Sequence, residues 1–247
     1  TDDGARVVAE AYAGNPAVVL LRKPNGGCAS ARNFGRLNSD ASHIAFVDAD
    51  DAVDPDFFPR LLELARYTGA ETVQAGFEAW RPDLPPDEAH QPSYEVTAFA
   101  KWDRKSFDQS TAFTVHGSVL MEGQPSIWRR IYRRDFLDSR NIWFPEHIRA
   151  FDDQIFQLLT LHHSGFIPCL DGPLYHYRQH PAQDIRAGDE RFFYSLEVFR
   201  MVLKRALNEG WGDFRPVITS FVNTINWIDS GLRADLRTLK DAWPDDA

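Results

Sequence analysis

The feature that most constrains the fold is an alternation of strand-like and helical segments in the first third of the chain. Val18–Leu21 and Ile44–Val47 are short, continuous apolar runs, and Thr72–Trp80 also has the composition of a strand. Between them, Cys28–Leu37 and Asp56–Tyr67 have apolar residues at helical spacing. Apolar strands that alternate with helices are typical of parallel sheets covered on both faces. The pattern predicts an α/β fold with a mixed, mostly parallel sheet flanked by helices.

The rest of the chain predicts an irregular excursion, further strands and helices, and a helical end. Arg81–Gln109 is rich in proline and polar residues, and we expect a long loop there. Regular structure is then predicted for Ile127–Arg134, Asp152–His163, Phe166–Tyr177 and the helical stretch Asp189–Trp243. We therefore expect one domain over residues 1–180 and a helical extension over 181–247 that packs on it.

The first element of the chain is predicted to be a helix, Ala5–Ala13. A parallel α/β sheet usually begins with a strand instead. A strand–helix–strand unit takes roughly 30 residues. We therefore expect the N-terminal unit of this type to be missing from the sequence.

Composition limits the classes of function. The chain has 247 residues, a formal charge of −9 and no block of Lys and Arg, which argues against nucleic acid as a partner. Its two cysteines offer neither a metal cage nor a disulfide framework and favour a reducing, cytoplasmic location. No run approaches the roughly 20 apolar residues of a membrane span. Any membrane contact, for example at the inner face of the cell membrane, is expected to be peripheral.

An acidic loop is the first candidate site. Asp48 and Asp50 follow a predicted strand, where carboxylates can converge on a divalent cation. Ligands of open α/β sheets bind beyond the carboxyl ends of strands, and Asp48 and Asp50 should lie there. A turn or helix-cap role for these two residues is an equally good interpretation of the local pattern. A second Asp-x-Asp triplet, Asp54–Asp56, lies where a helix needs caps.

A glycine turn is the second candidate site. Asn25 begins an Asn-Gly-Gly turn before a helix that carries Arg32. Free N–H groups and a guanidinium are features that a diphosphate favours. An ordinary strand-to-helix turn with a solvated arginine is the simpler interpretation.

Two further groups complete the candidates. Asp152 and Asp153 begin an apolar helix, where one acid could serve as a general base, although acids there more often cap the helix. His176 and Arg178 could approach a metal-diphosphate centre, although such residues are more often satisfied within a strand.

Taken in order, five blocks of residues resemble family 2 glycosyltransferases. They are Asn25-Gly-Gly-x-x-x-Ala31-Arg32-Asn33-x-Gly35, Phe46-Val-Asp48-Ala-Asp50-Asp51, Ile127-Trp128-x-Arg130-x-Tyr132-Arg133-Arg134-x-Phe136-Leu137, Phe151-Asp152-Asp153-x-x-Phe156 and Pro173-Leu-Tyr175-His-Tyr177-Arg178. The resemblance covers residues 1–180. It implies a GT-A fold and an inverting transfer from a nucleotide-sugar, with UDP-sugar as the default donor.

The resemblance also implies roles for single residues. Asp48 would support the ribose side of the nucleotide, and Asp50, with Asp48, would hold Mn²⁺ or Mg²⁺. Arg32 and Asn25 would lie on the nucleotide side. Asp153 would be the base, with Asp152 standing where the family usually has Glu.

Three more residues are matched in the same way. Arg130 stands where many members have Lys, and His176 and Arg178 fall near the expected diphosphate and acceptor. The implied acceptor is a hydroxyl of a glycan, a lipid-linked sugar or another molecule in cell-surface polysaccharide or glycoconjugate synthesis. A metal-dependent nucleotidyltransferase and a non-catalytic module that binds nucleotide-sugar or glycan are the alternatives.

Overall fold

A computed structural model describes residues 3–108, 110–180, 183 and 189–232. The α-helices are α1 (Gly4–Ala11), α2 (Gly27–Leu37), α3 (Phe57–Thr68), α4 (Glu95–Ala98), α5 (Gly117–Met121), α6 (Arg134–Ser139), α7 (Asp152–Ser164), α8 (Tyr194–Glu209) and α9 (Arg215–Gly231). The strands are β1 (His43–Ala45), β2 (Ala52–Val53), β3 (Thr72–Trp80), β4 (His90–Pro92), β5 (Lys105–Phe107), β6 (Ser110–His116), β7 (Arg130–Arg133) and β8 (Phe166–Arg178). Short 3-10 turns precede β7 and α8.

The strands form one sheet in the order β1-β7-β3-β8-β6-β5, with β2 paired to β8 and β4 paired to β3. Among the described residues, β3 with β8 is the single parallel pairing, and the other pairings are antiparallel. The prediction of a mostly parallel sheet is therefore wrong, while the α/β class and the flanking helices are confirmed. The reason is that β7 lies between β1 and β3 and runs against both.

The predicted strand at Val18–Leu21 is also wrong. The segment has no strand partner in the described part of the chain, and Val19 is 70% exposed. An apolar run becomes a buried strand only where a neighbouring strand and a covering layer are available. Helix α1, which precedes it, buries none of its residues.

The core lies between the sheet and the helices that cover it. Helix α3 buries Phe57, Leu61 and Leu64 at helical spacing, and it packs on β3 and β8. Helix α7 is buried on nearly every side because it lies between the sheet and the C-terminal helices. Its Gln154 amide donates to Thr224 of α9 at 2.7 Å. The helices α8 and α9 thus pack on the domain, whereas the predicted boundary at residue 180 stays a prediction.

The excursion Arg81–Gln109 has more regular structure than its sequence predicts, with Gln109 itself outside the described residues. It contains β4, α4 and β5. Glu95 of α4 forms a buried, bidentate ion pair with Arg129. Arg129 Nε also donates to Ser126 at 2.9 Å, and its guanidinium lies 4.9 Å from the centre of the Phe77 ring. The ion pair fixes the excursion to the core beside β3.

This anchor makes a test of stability possible. Glu95→Ala leaves the buried guanidinium of Arg129 without its counter-charge, and we expect the free energy of unfolding to fall by about 3–5 kcal/mol. Urea denaturation measures the change. Glu197→Ala is the matched control because Glu197 pairs with Arg200 on the exposed face of α8 and should shift the midpoint little. Equal effects of the two substitutions would show that the excursion does not depend on this pair.

Candidate active site

The acidic loop begins where β1 ends, and its third carboxylate points inward. Asp51 accepts the backbone N–H of Arg178 at 2.8 Å and the hydroxyl of Tyr175 at 2.5 Å. Burial raises the pKa of Asp51 to about 6, although both hydrogen bonds oppose the shift. Asp51 has no role among the predicted site residues. The signal was its place in the acidic run, but the partner residues lie on β8, far along the chain.

Arg32 of α2 joins the acidic loop to the start of α7. Its guanidinium donates to Asp48 Oδ1 and to Asp152 Oδ2, each at 3.0 Å. Burial alone would lower the pKa of Arg32, but the charges of Asp152, Asp48 and Asp153 raise it above its ordinary value. The positive charge is therefore permanent and lies among three acids.

Helix α2 is held in place by its own polar residues. Asn25 accepts the N–H of Gly27 at 3.1 Å, and Gly27 has a φ of 82°, which favours glycine. Asn33 exchanges hydrogen bonds with the backbone of Phe144, donating at 2.9 Å and accepting at 3.1 Å. Asn25 thus shapes the turn before the helix, and Asn33 fixes the helix so that Arg32 faces the acids.

Asp152 and Asp153 form the first turn of α7. The preceding residue, Phe151, has a left-handed backbone with φ 64°, which is strained for a non-glycine residue. Its ring packs against Phe192 and Trp227 from the C-terminal region, with ring centres 6.0 and 6.3 Å away. The C-terminal helices thereby contribute to the position of the two acids.

The two acids of α7 have different environments. Burial raises the pKa of Asp152, although the Arg32 charge opposes the shift. Burial and the neighbouring charge of Asp152 raise the pKa of Asp153 to about 6. Asp152 is therefore the partner of Arg32, whereas Asp153 is a weakly acidic carboxyl whose protonation changes near neutral pH.

Asp50 is the more available carboxylate for a metal ion. Its side chain is 43% exposed, and Oδ2 lies 3.2 Å from Nε2 of His180. The exposed carboxylate offers oxygen ligands of the kind that suit Mn²⁺ and Mg²⁺, and the His180 imidazole lies beside it. Asp48 fits a metal less well because Arg32 already occupies one of its oxygens. His180 was not predicted, since nothing in its local sequence distinguishes it.

The other predicted residues lie apart from the Arg32 cluster or contribute only their backbone. Arg130 is fully buried, where Nε donates to Gln74 at 2.9 Å and Nη1 donates to Gln157 at 2.6 Å. The His176 ring lies between Glu78 and Asp54. Arg178 contacts Asp51 through its main chain, and its guanidinium lies 5.8 Å from the Trp80 ring centre. The structure therefore brings Arg32, Asp48, Asp152 and Asp153 together and places Arg130 in the core.

Comparison with known proteins identifies the family of this chain. The model of the family described as glycosyl transferase family 2 matches residues 1–132, which is more than half of the chain. The chain therefore belongs to glycosyltransferase family 2.

Two curated relatives from Bacillus subtilis (strain 168) are similar to most of the chain. It is 31% identical over 187 residues to the uncharacterized glycosyltransferase EpsJ, covering 73% of this chain and 51% of EpsJ. It is 26% identical over 210 residues to the putative glycosyltransferase EpsH, covering 78% of this chain and 54% of EpsH. The chain thus spans about half the length of the curated relatives it matches.

A solved structure shares the fold. The structure of Staphylococcus aureus TarS 1-349 in complex with UDP-GlcNAc superposes with a TM-score of 0.69 at 18% sequence identity. The match covers 96% of this chain and 66% of the TarS chain. The likeness supports a GT-A-like arrangement of sheet and helices.

As far as the structure describes the chain, no helix combines the length and apolar character needed to cross a bilayer.

Arg32 offers a direct test of how the site is assembled. Arg32→Gln removes the positive charge that bridges Asp48 and Asp152, and we expect the free energy of unfolding to fall by about 2–3 kcal/mol at pH 8. The loss should be smaller at pH 5, because carboxyls with a raised pKa are then protonated and repel less. Urea denaturation at both pH values measures this, with Arg149→Gln on the exposed surface as the control. Equal losses at the two pH values would contradict the assigned role of the charge.

Proposed function

We propose that the chain is an inverting, metal-dependent glycosyltransferase that transfers a sugar from a nucleoside-diphosphate sugar to an acceptor hydroxyl. The observation that carries the proposal is the bridge of Arg32 between Asp48 and Asp152. It brings the acidic loop, which we assign to the donor, next to the helix start, which we assign to the acceptor. Membership of family 2 supports the same reaction class.

Asp153 is the proposed general base. Asp152 offers no free carboxylate to the acceptor, because its Oδ2 accepts a hydrogen bond from Arg32 at 3.0 Å, which positions it as the partner of the guanidinium. Burial and the charge of Asp152 raise the pKa of Asp153 to about 6, so its ionised form is a better proton acceptor than an ordinary aspartate. It would take the proton of the acceptor hydroxyl while the oxygen attacks the anomeric carbon and the bond to the diphosphate breaks. A single displacement of this kind inverts the configuration.

The donor side is assigned to the acidic loop and α2. Asp48 is proposed to lie on the ribose side, Asp50 with His180 to hold Mn²⁺ or Mg²⁺, and Arg32 to face the nucleotide. A bound divalent ion would offset the negative charge that develops on the departing diphosphate. Asp51 has a positioning role, because its hydrogen bonds to β8 hold the loop so that Asp50 remains exposed. His176 and Arg178 place their backbone beside this loop.

For the donor we propose a UDP-sugar, and for the acceptor a hydroxyl of a cell-surface polysaccharide or glycoconjugate. TarS, which shares this fold, was solved in complex with UDP-GlcNAc, and this supports a donor of the same class. Family membership and the EpsJ and EpsH relatives support glycosyl transfer by this chain. A thermal-shift screen of nucleoside diphosphates and nucleotide-sugars, with and without Mn²⁺, identifies the donor because ligands of the folded state raise its stability.

Replacement of Asp153 tests the base. Asp153→Asn preserves shape but removes basicity, so we expect transfer to fall about 10²–10⁴-fold while nucleotide-sugar binding is retained. Nucleoside diphosphate release measures turnover, and calorimetry measures binding. Asp40→Asn, at an exposed site, is the control. In the unaltered chain, the rate should rise as pH increases through about 6, because only the ionised carboxyl accepts a proton. Full turnover by Asp153→Asn would refute the assignment.

Replacement of Asp50 tests the metal. Asp50→Asn removes one ligand charge, and we expect the affinity for Mn²⁺ to weaken at least about tenfold. Electron paramagnetic resonance of free Mn²⁺ measures binding independently of activity. Asp56→Asn is the matched control because Asp56 belongs to the other Asp-x-Asp triplet and lies at the start of α3. Equal Mn²⁺ affinity of the two variants would exclude Asp50 as a ligand.

A further inference from the structure

A second group of metal-binding side chains lies on the sheet, outside the Arg32 cluster. Glu78, His90 and His176 each offer one ligand atom, and these atoms all lie within 4.8 Å of one another. The residues come from β3, β4 and β8, which are neighbouring strands. The group is thus formed by the fold and not by adjacency in sequence.

The register of the strands explains why these side chains meet. Glu78 is directly paired with His176 across the parallel β3–β8 ladder. On the other side of β3, Trp80 is paired with His90, which places His90 diagonally from Glu78. Both histidine rings approach the same carboxylate oxygen, and the ring centres lie 6.0 Å apart. A cation among the three groups would touch side chains from three strands.

The two ring nitrogens of His176 face different carboxylates, an arrangement that is typical of metal-binding histidines. Its Nδ1 lies 2.7 Å from Glu78 Oε1, and its Nε2 lies 2.9 Å from Asp54 Oδ1. When Nε2–H donates to a carboxylate, the lone pair stays on Nδ1, and both the tautomer and the ring direction are set. Asp54 therefore orients the ring through Nε2, in the way that a carboxylate orients a histidine whose other nitrogen binds a metal.

The donor chemistry favours a particular class of ion. Two imidazole nitrogens and one carboxylate suit Zn²⁺, whereas Mg²⁺ prefers oxygen ligands. The side chain of His90 is 48% exposed, while those of His176 and Glu78 are 20% and 13% exposed. The exposed side of His90 provides an entry path for the ion.

We propose that Glu78, His90 and His176 bind Zn²⁺, with Asp54 as a positioning residue. The ion links β4, at the start of the Arg81–Gln109 excursion, to the two central strands. It is separate from the ion proposed at Asp50, whose carboxylate faces His180. The proposal does not rest on the proposed function.

Zinc titration of the metal-free 247-residue chain tests the proposal. Excess Mg²⁺ is present to compete at Asp50, and calorimetry with a chromophoric chelator as competitor measures affinity. We expect about one tight equivalent of Zn²⁺, and Co²⁺ in its place should give the visible absorption of a site with imidazole ligands. His90→Ala and Glu78→Gln should each weaken Zn²⁺ binding on the order of 100-fold, and Asp54→Asn by about 10–100-fold with an altered Co²⁺ spectrum.

The controls separate this site from the other candidates. Asp50→Asn and His147→Ala should bind Zn²⁺ as the unaltered chain does, because neither residue belongs to the group. Circular dichroism verifies folding, and His90 lies on a short strand where Ala should be tolerated. Failure of the folded chain to bind Zn²⁺, unchanged affinity in His90→Ala, or loss of binding in Asp50→Asn would each overturn the proposal. None of these outcomes bears on Asp153 as a base.

Discussion

The bridge made by Arg32 is the interaction on which the site depends. Asp48 and Asp152 come from distant parts of the chain, and with Asp153 they would repel one another in a partly buried place. A planar guanidinium can donate to two carboxylates at once, which a lysine ammonium does with less directional precision. The bridge holds only if α2 is fixed, and the hydrogen bonds of Asn33 to the Phe144 backbone fix it. The pairing of the Arg32 charge with the acids therefore depends on the position of α2.

The start of α7 is held from two directions. Toward the sheet, Oε1 of Gln157 accepts a hydrogen bond from the guanidinium of Arg130 at 2.6 Å and another from the backbone N–H of Ser126 at 2.9 Å. Toward the C-terminal helices, Gln154 donates to Thr224, and Phe151 packs on aromatic rings. Buried polar contacts of this kind specify one arrangement, because an alternative packing would leave groups unpaired. The family match ends at residue 132, but the position of the proposed base depends on residues beyond it.

The order of the strands in the sheet cannot be predicted from local sequence pattern. The sequence predicts β1 and β3 as strands separated by a helix, and both are present. Local pattern suggests that such strands are direct neighbours, which would make the sheet parallel. In the structure β7 is inserted between them, since the chain returns from the excursion and pairs Ile131 with both Ala45 and Val73. Pairing over this distance in sequence leaves no periodic signal in either segment.

Helical spacing and apolar runs are local properties, so the sequence predicts several of the elements and the types of residue at the site. The predicted helix Asp152–His163 and strand Thr72–Trp80 correspond closely to α7 and β3. The partners of each side chain depend on how these elements pack together. Asp51 points inward, and Arg130 is buried against glutamines, because those partners lie on strands and helices distant in sequence. The charge of a side chain follows from the sequence, but the residue that it contacts depends on which strands pair.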